Sequence, residues 1–316
     1  MKHGWHTKHF LGGWKTLKTQ PALLLIAPVA SIIGLGALID SILYAFSFLF
    51  AAHSIAPVLT TTANQVLPPN VIGPTLVSIL SNTPLMIITL LVVFFAILCQ
   101  TAMIHVTHQH SKKRKRVTLK AAFKNATDQW LPMFMIHLTS FSAVFLLVVD
   151  MSFALKLFTG PNAAWVIIPV FIIDAFLMLY VLTIKMLALQ FVAGDNKKFI
   201  ESVYQAWRVT WRSPALVIEH NLILFVINAV AMTVLVFAIQ VLSWITTAIG
   251  TWAFVLLGSR VVGGVLEITI FVIGALLVAG ILTGYNFATW SHFANNIDKK
   301  YLPPAIKRFA KTYLPL

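Results

Sequence analysis

Apolar runs long enough to cross the hydrocarbon of a bilayer recur along the whole 316-residue chain, and they restrict its fold more than any other feature. A helix needs about 20 residues to cross about 30 Å of hydrocarbon. The runs are Ala22 to Phe50, Leu85 to His105, Leu131 to Phe158, Ala164 to Phe191, Ala215 to Ser243 and Val265 to Trp290. Several exceed the minimum, so tilt or helical extension beyond the bilayer is expected. A membrane β-barrel would instead show segments of about ten residues with alternating polarity. These runs are continuous and rich in Leu, Ile, Val, Phe and Ala, so the prediction is an all-α polytopic membrane protein with six transmembrane helices. A composition of 59% hydrophobic and 10% charged residues is far from that of a soluble domain. The first run is too long for the apolar core of a signal peptide and is read as a span. The single cysteine, Cys99, lies in the second run and excludes both an intrachain disulfide and a Cys-rich metal site.

Charge gives the orientation. Of the 23 Lys and Arg, twenty fall before span one, between spans two and three, between spans four and five, or after span six. The opposite side has only Lys156 and Arg260, and Lys185 sits within span four. The positive-inside rule makes the twenty cytoplasmic and puts both termini in the cytoplasm. The net charge of +14 is then concentrated on one membrane face, where it attracts anionic lipid headgroups. Lys112 to Arg116 is too short and isolated to form a nucleic-acid-binding fold, so no nucleic-acid partner is expected.

Each cytoplasmic segment carries a short amphipathic pattern directly before a span. Ile200, Val203, Tyr204, Trp207 and Trp211 recur at three- and four-residue spacing, opposed by Lys198, Glu201, Arg208 and Arg212. Leu119, Phe123, Ala126 and Trp130 repeat the arrangement before span three, as do Phe10, Trp14 and Leu17 before span one. Such helices belong in the membrane interface, with aromatic rings at headgroup level and cations reaching for phosphate. Their junctions match by letter: Trp14-Lys15, five residues, then Pro21-Ala22-Leu23, against Trp207-Arg208, five residues, then Pro214-Ala215-Leu216. Proline suits the first turn of a helix and marks where the spanning helix starts. Trp130 and Pro132 are more closely spaced, making the second copy the divergent one.

The expected organisation is one membrane domain, 1–316, made of three tandem parallel units, 1–110, 111–193 and 194–298, with a cytoplasmic tail at 299–316. Each unit is an interfacial amphipathic helix followed by a transmembrane hairpin. Lys307 to Leu316 reads as the start of a fourth interfacial helix. This pattern, with its aromatic-then-proline junctions, resembles a group of bacterial six-span inner-membrane proteins that includes the membrane domain of some glycerophosphodiester phosphodiesterases. The resemblance implies a bacterial cytoplasmic membrane and this shape. The soluble barrel that carries the phosphodiesterase chemistry has no counterpart in these 316 residues, so that activity is not implied.

Ionisable groups inside spans are costly and are candidates for function. They are Asp40, His137, Asp174, Lys185, Glu219 beside His220, and Glu267. Asp40 and Asp174 are the deepest acids and are placed to share a cation or a proton, as a secondary transporter would require. Asp40 and Glu267 also suit the outer interface, and Lys185 can snorkel to the inner one. Glu219, close after Pro214, reads as a helix N-terminal carboxylate. His105 and His108 share a helix face as metal ligands can, which a membrane-embedded enzyme would use, but His110 points elsewhere and no nearby carboxylate supports them. His3, His6 and His9 are similarly spaced near the terminus.

Gly280 and Gly284 form a GxxxG that allows close helix packing, within the monomer or between subunits of a homo-oligomer. The outer connections, Ala51 to Pro84 and Ser243 to Gly264, are expected to be non-spanning, the second lying on the interface through Trp244, Trp252 and Phe254. No Walker loop, Rossmann fingerprint or Gly-x-Ser-x-Gly elbow is present, and no cofactor is implied. The leading expectation is a non-enzymatic protein that binds anionic lipid through Trp14, Lys15, Trp130, Trp207, Arg208, Trp211 and Arg212, and that organises membrane or moves an amphiphile.

Overall fold

The computed structural model describes residues 4–33, 83–112, 117–157, 164–257 and 260–300, and every regular element among them is α-helical. The helices are α1 (Gly4–Thr19), α2 (Leu23–Ala30), α3 (Thr83–Ser111), α4 (Leu119–Asp128), α5 (Trp130–Leu157), α6 (Ala164–Asp195), α7 (Phe199–Arg212), α8 (Pro214–Leu257) and α9 (Arg260–Lys300). Four of them contain stretches long and apolar enough to cross a membrane: Met86–Ser111, Trp130–Leu147, Trp165–Asp195 and Pro214–Ala231. This is the architecture of an integral membrane protein, in which each helix satisfies its own backbone polar groups where water is absent. Asp40, most of the first apolar run, residues 51–82 of the first outer connection and residues 301–316 of the tail lie outside the described residues.

The amphipathic segments predicted before the spans are helices. Thr118 caps α4 by accepting a hydrogen bond from the Ala121 N–H at 3.3 Å. Only Gln129 separates α4 from α5, and only Ser213 separates α7 from α8. Pro214 opens α8, where its missing N–H costs nothing. Asn196 reverses the chain between α6 and α7 in the left-handed region, at φ 56°. Asn tolerates that conformation better than most residues. The Asn125 side-chain amide donates to Asn196 Oδ1 at 2.6 Å, tying α4 to this turn.

The second outer connection departs from expectation. Ser243 to Leu257 continues α8 as helix, and α9 already begins at Arg260. The 44 residues of α8 amount to about 66 Å of helix, roughly twice the hydrocarbon thickness. The stretch contains no proline and only Gly250 as a weak breaker, so nothing in it stops the helix.

The helices α3, α6 and α9 pack against one another at the centre. Around them, α2 packs on α3 and α9, α5 on α6 and α3, and α8 on α9. The amphipathic helices sit at one end: α4 on α3, α7 on α6, and α1 on α9. Burial concentrates toward that end. Ala96 to Ile104 is buried throughout in α3, and so is Met186 to Gly194 in α6, whereas Ile87 to Val92 and Ile172 to Ile173 expose apolar side chains.

Gly280 and Gly284 pack within the chain. A Cβ at Gly280 would fall 2.7 Å from the Pro28 nitrogen, and one at Gly284 would meet Leu17 Cδ2 at 3.0 Å. The glycines therefore let α9 approach α2 and α1 closely.

Candidate functional site

Each amphipathic helix docks through buried small side chains, and α7 turns most of its bulky ones outward. In α7, Ser202, Ala206, Val209 and Thr210 are buried, whereas Ile200, Tyr204, Trp207 and Trp211 form a stripe 50–77% exposed. In α4 the buried positions are Ala122 and Ala126. In α1 they include Gly13 and Thr16, and a Cβ at Gly13 would collide with the Thr289 hydroxyl at 2.5 Å. Small residues four apart, as in Ala122/Ala126 and Ser202/Ala206, permit close helix contact and carry a signal that the aromatic periodicity concealed.

The predicted lipid-binding residues are brought to this end of the fold, though not all in one way. Trp14 is half-exposed, with Lys18 Nζ 5.4 Å from the ring centroid in a cation–π contact, and Lys15 is exposed beside it. Trp207 stacks on Trp211 at 6.3 Å and meets Tyr180 edge-on at 5.4 Å. Arg208 and Arg212 are half-buried on the flank of the same helix. Trp130 differs: it begins α5 and its indole packs on Phe94 and Phe134 at 5.1 and 5.4 Å.

Inside this collar lies a buried polar junction. Thr107 of α3, Gln190 of α6 and Ser291 of α9 are all fully buried. The Thr107 and Ser291 hydroxyls are 2.8 Å apart, and the Ser291 hydroxyl donates to Gln190 Oε1 at 2.7 Å. Gln190 Nε2 donates onward to the Phe287 carbonyl at 3.4 Å. Nearby, Asn221 of α8 donates to Thr183 of α6 at 2.7 Å and Asn228 of α8 to Asn286 of α9 at 3.2 Å. None of these contacts is visible as a motif, because each joins residues distant in sequence.

The histidines at the end of α3 diverge. His105 Nδ1 donates to the Ala193 carbonyl at 2.8 Å, His108 Nε2 to Asp195 at 3.3 Å, and His110 Nε2 lies 3.4 Å from the Thr19 hydroxyl. The expectation that no carboxylate supports them is corrected by Asp195, which also takes the Lys112 ammonium. It is 87 positions from His108 and arrives only because α6 ends beside α3. Among the described residues no group of three or more His, Cys, Asp or Glu could hold a metal ion. Each of the three histidines contacts a different residue on a neighbouring helix. His9 is buried edge-on to Phe293, whereas His3 lies outside the described residues.

Glu219 is exposed and sits in the second turn of α8, whose first turn has no acid, so it does not cap that helix. His220 is buried, stacked on Phe10 and Phe293 at 5.3 and 4.2 Å and edge-on to Trp290 at 4.7 Å. This aromatic nest holds α1 against α8 and α9. Asp174 is buried in α6, with no hydrogen-bond partner for Oδ2 among the described residues. Its acidic neighbour is Asp150 of α5, an acid the sequence reading did not single out. His137 of α5 and Lys185 of α6 line one cavity. Glu267 lies on α9.

No family model, curated protein or solved structure matches the chain.

Proposed function

We propose that the protein is a non-enzymatic, six-span protein of the bacterial cytoplasmic membrane, with both termini cytoplasmic, whose collar of basic amphipathic helices holds anionic lipid. The observation that carries this reading is the α7 stripe. Ile200, Tyr204, Trp207 and Trp211 face away from the protein, while Arg208 and Arg212 flank them. An aromatic face open to acyl chains beside a cationic edge is the arrangement that seats a helix among anionic headgroups. Lipid organisation or movement of an amphiphile follows from it.

The three-unit organisation belongs to the same proposal. Each amphipathic helix packs on the second span of the unit before it: α4 on α3, α7 on α6, and, closing the ring, α1 on α9. Three tandem units around α3, α6 and α9 account for that order.

Native mass spectrometry of gently extracted protein tests the lipid reading. The expected result is retained anionic lipid, much of it lost when Trp207, Arg208, Trp211 and Arg212 are replaced by alanine. Equal retention of anionic and zwitterionic lipid by both forms would overturn it. Cysteine labelling from each side of the membrane tests the orientation.

A second reading, secondary transport through intramembrane acids, has one observation in its favour: Asp174 is buried beside Asp150 with an oxygen open to a proton or cation. Unaltered growth and lipid phenotypes in cells carrying Asp174→Asn would count against it.

A further inference from the structure

A groove of about 650 Å³ runs among α1, α8 and α9. Phe10, Leu11 and Trp14 line it from α1, Ile223 and Ile227 from α8, and Ile281 from α9, and every described lining residue is apolar or aromatic. Phe10 also stacks on His220 of α8 at 5.3 Å, so the aromatic nest fixes the α1 wall. Leu11 is 64% and Ile281 42% exposed, which leaves the groove open sideways to the bilayer. Its volume falls within the range of about 300–1,000 Å³ typical of small-molecule sites.

Depth and charge together narrow the occupant. Ile223 and Ile227 lie about 14 and 20 Å along α8 from Pro214 at the collar end. The headgroup layer takes up some 5–8 Å and the chains of one leaflet about 15 Å more, so the groove covers the depth of a single leaflet's chains. On α1 the exposed residues Lys8, Leu11, Trp14, Lys15 and Lys18 follow one another at three- and four-residue spacing and share a face. Lys18 Nζ stands 5.4 Å from the centroid of the Trp14 ring that lines the groove, so a cation sits at its margin. On the α8 side the residue one turn nearer the collar than Ile223 is the exposed Glu219, so an anion belongs on the α1 side. An alkyl chain below and an anionic headgroup above, with the Trp14 indole at the level between them, is the chemistry of a phospholipid. The sideways opening leaves room for its second chain in the surrounding lipid.

We propose that this groove seats one acyl chain of an anionic phospholipid of the cytoplasmic leaflet, whose phosphate is held by Lys15 and Lys18. The inference rests on the lipid-holding collar of the proposed function and gives one of its lipids a defined site, separate from the α7 stripe.

The test uses the full chain in phosphatidylcholine nanodiscs containing a small share of phosphatidylglycerol with a diazirine on one acyl chain, beside a matched phosphatidylcholine probe. The phosphatidylglycerol probe should label the groove walls on α8 or α9 about tenfold more strongly than the phosphatidylcholine probe. The Lys15→Gln, Lys18→Gln double variant should remove that preference, and Ile281→Trp, which fills the groove, should lower labelling by a similar factor. Unlabelled long-chain phosphatidylglycerol should compete, whereas glycerol phosphate, which has the charge and no chain, should not. The Arg208→Ala, Arg212→Ala double variant should lose labelling at α7 and keep it in the groove. Equal groove labelling by the two probes, an unchanged preference in the lysine variant, unchanged labelling of Ile281→Trp, or displacement by glycerol phosphate would each overturn the site. Anionic labelling confined to α7 would also overturn it while leaving the collar reading in place, and groove labelling with no anionic preference at α7 would do the reverse. Should a groove variant fail to fold, the probe comparison and the competition order of the parent protein decide alone.

Discussion

The Thr107 hydroxyl lies 2.8 Å from that of Ser291, 184 positions later, and Gln190 completes the contact from a third helix. One buried polar residue from each of α3, α6 and α9 thus meets where these helices touch. In a bilayer the hydrophobic effect does not favour one rotation of a helix, because lipid is as apolar as the side chains, and packing and polar contacts must specify it. A polar contact among three helices can, since any other rotation leaves its groups unpaired.

Ser291→Ala should therefore lower stability by about 1 kcal/mol, near the measured scale of interhelical hydrogen bonds in membranes. Gln190→Leu should cost more, because it removes both the acceptor for Ser291 and the bond to Phe287. Unfolding midpoints in mixed detergent, read by circular dichroism, give the comparison. A Gln190→Leu variant more stable than Ser291→Ala would show that the junction is dispensable.

Gly280 and Gly284 should respond differently to the same change. Gly280→Ala places a methyl group 2.7 Å from the Pro28 backbone, which cannot yield without moving α2. A cost of about 1–3 kcal/mol is expected. At Gly284 the neighbour is the end of the flexible Leu17 side chain, so Gly284→Ala should be close to neutral. Thermal unfolding of the two variants side by side would refute the assignment if their order were reversed.

Asp195 joins His108 and Lys112, and its replacements should separate charge from shape. Asp195→Ala leaves the buried His108 ring without its acceptor and should cost about 1–3 kcal/mol. Asp195→Asn keeps an oxygen for His108 and loses mainly the attraction to Lys112, so about half that cost is expected. Raising the salt concentration should narrow the difference between parent and Asn variant, because both partners are partly exposed. A salt-independent difference would mean that the Lys112 pair contributes little.

Much of this fold is legible in the chain because membrane length and helix periodicity are local properties. Runs two to six, the amphipathic segments and the Pro214 junction fall in observed helices, whereas the first run is described only as far as residue 33. The outer connection did not, because Trp244 and Trp252 suit both an interfacial loop and an exposed helix, and only the absence of a breaker distinguishes the two. The aromatic stripe of α7 was readable, whereas the face that docks it was not. Ser202 and Ala206 have too little side chain to register in a hydrophobic pattern. Asp195, Asp150 and the Thr107–Ser291 pair depend on which helices become neighbours, and spacing along one helix contains no information about that. GxxxG announced a close contact but not its partner, α2.

The last prediction concerns pH. His292, just beyond the apolar part of α9, lies against α1, with its Nε2 3.1 Å from the Thr16 hydroxyl. Burial, reinforced by the neighbouring His110 and partly opposed by a backbone hydrogen bond to Gly12, pushes the ring from an ordinary 6.5 down to about 4. The docked ring therefore stays neutral until about pH 4, while a ring released by undocking of α1 takes up a proton below about 6.5. Protons bind more strongly to the undocked form, so docking weakens as pH falls from about 6.5 to about 4 and changes little outside that window. At pH 5 the shift favours release by roughly ten- to thirtyfold. Hydrogen exchange of Gly4–Thr19, corrected for the intrinsic rate, should show that loss of protection between pH 7 and 5. His292→Gln retains a side-chain N–H for Thr16 but cannot titrate, and should flatten the profile. A variant that keeps the parent's pH dependence would move the origin of the effect to His110 or to other groups that titrate in the same range.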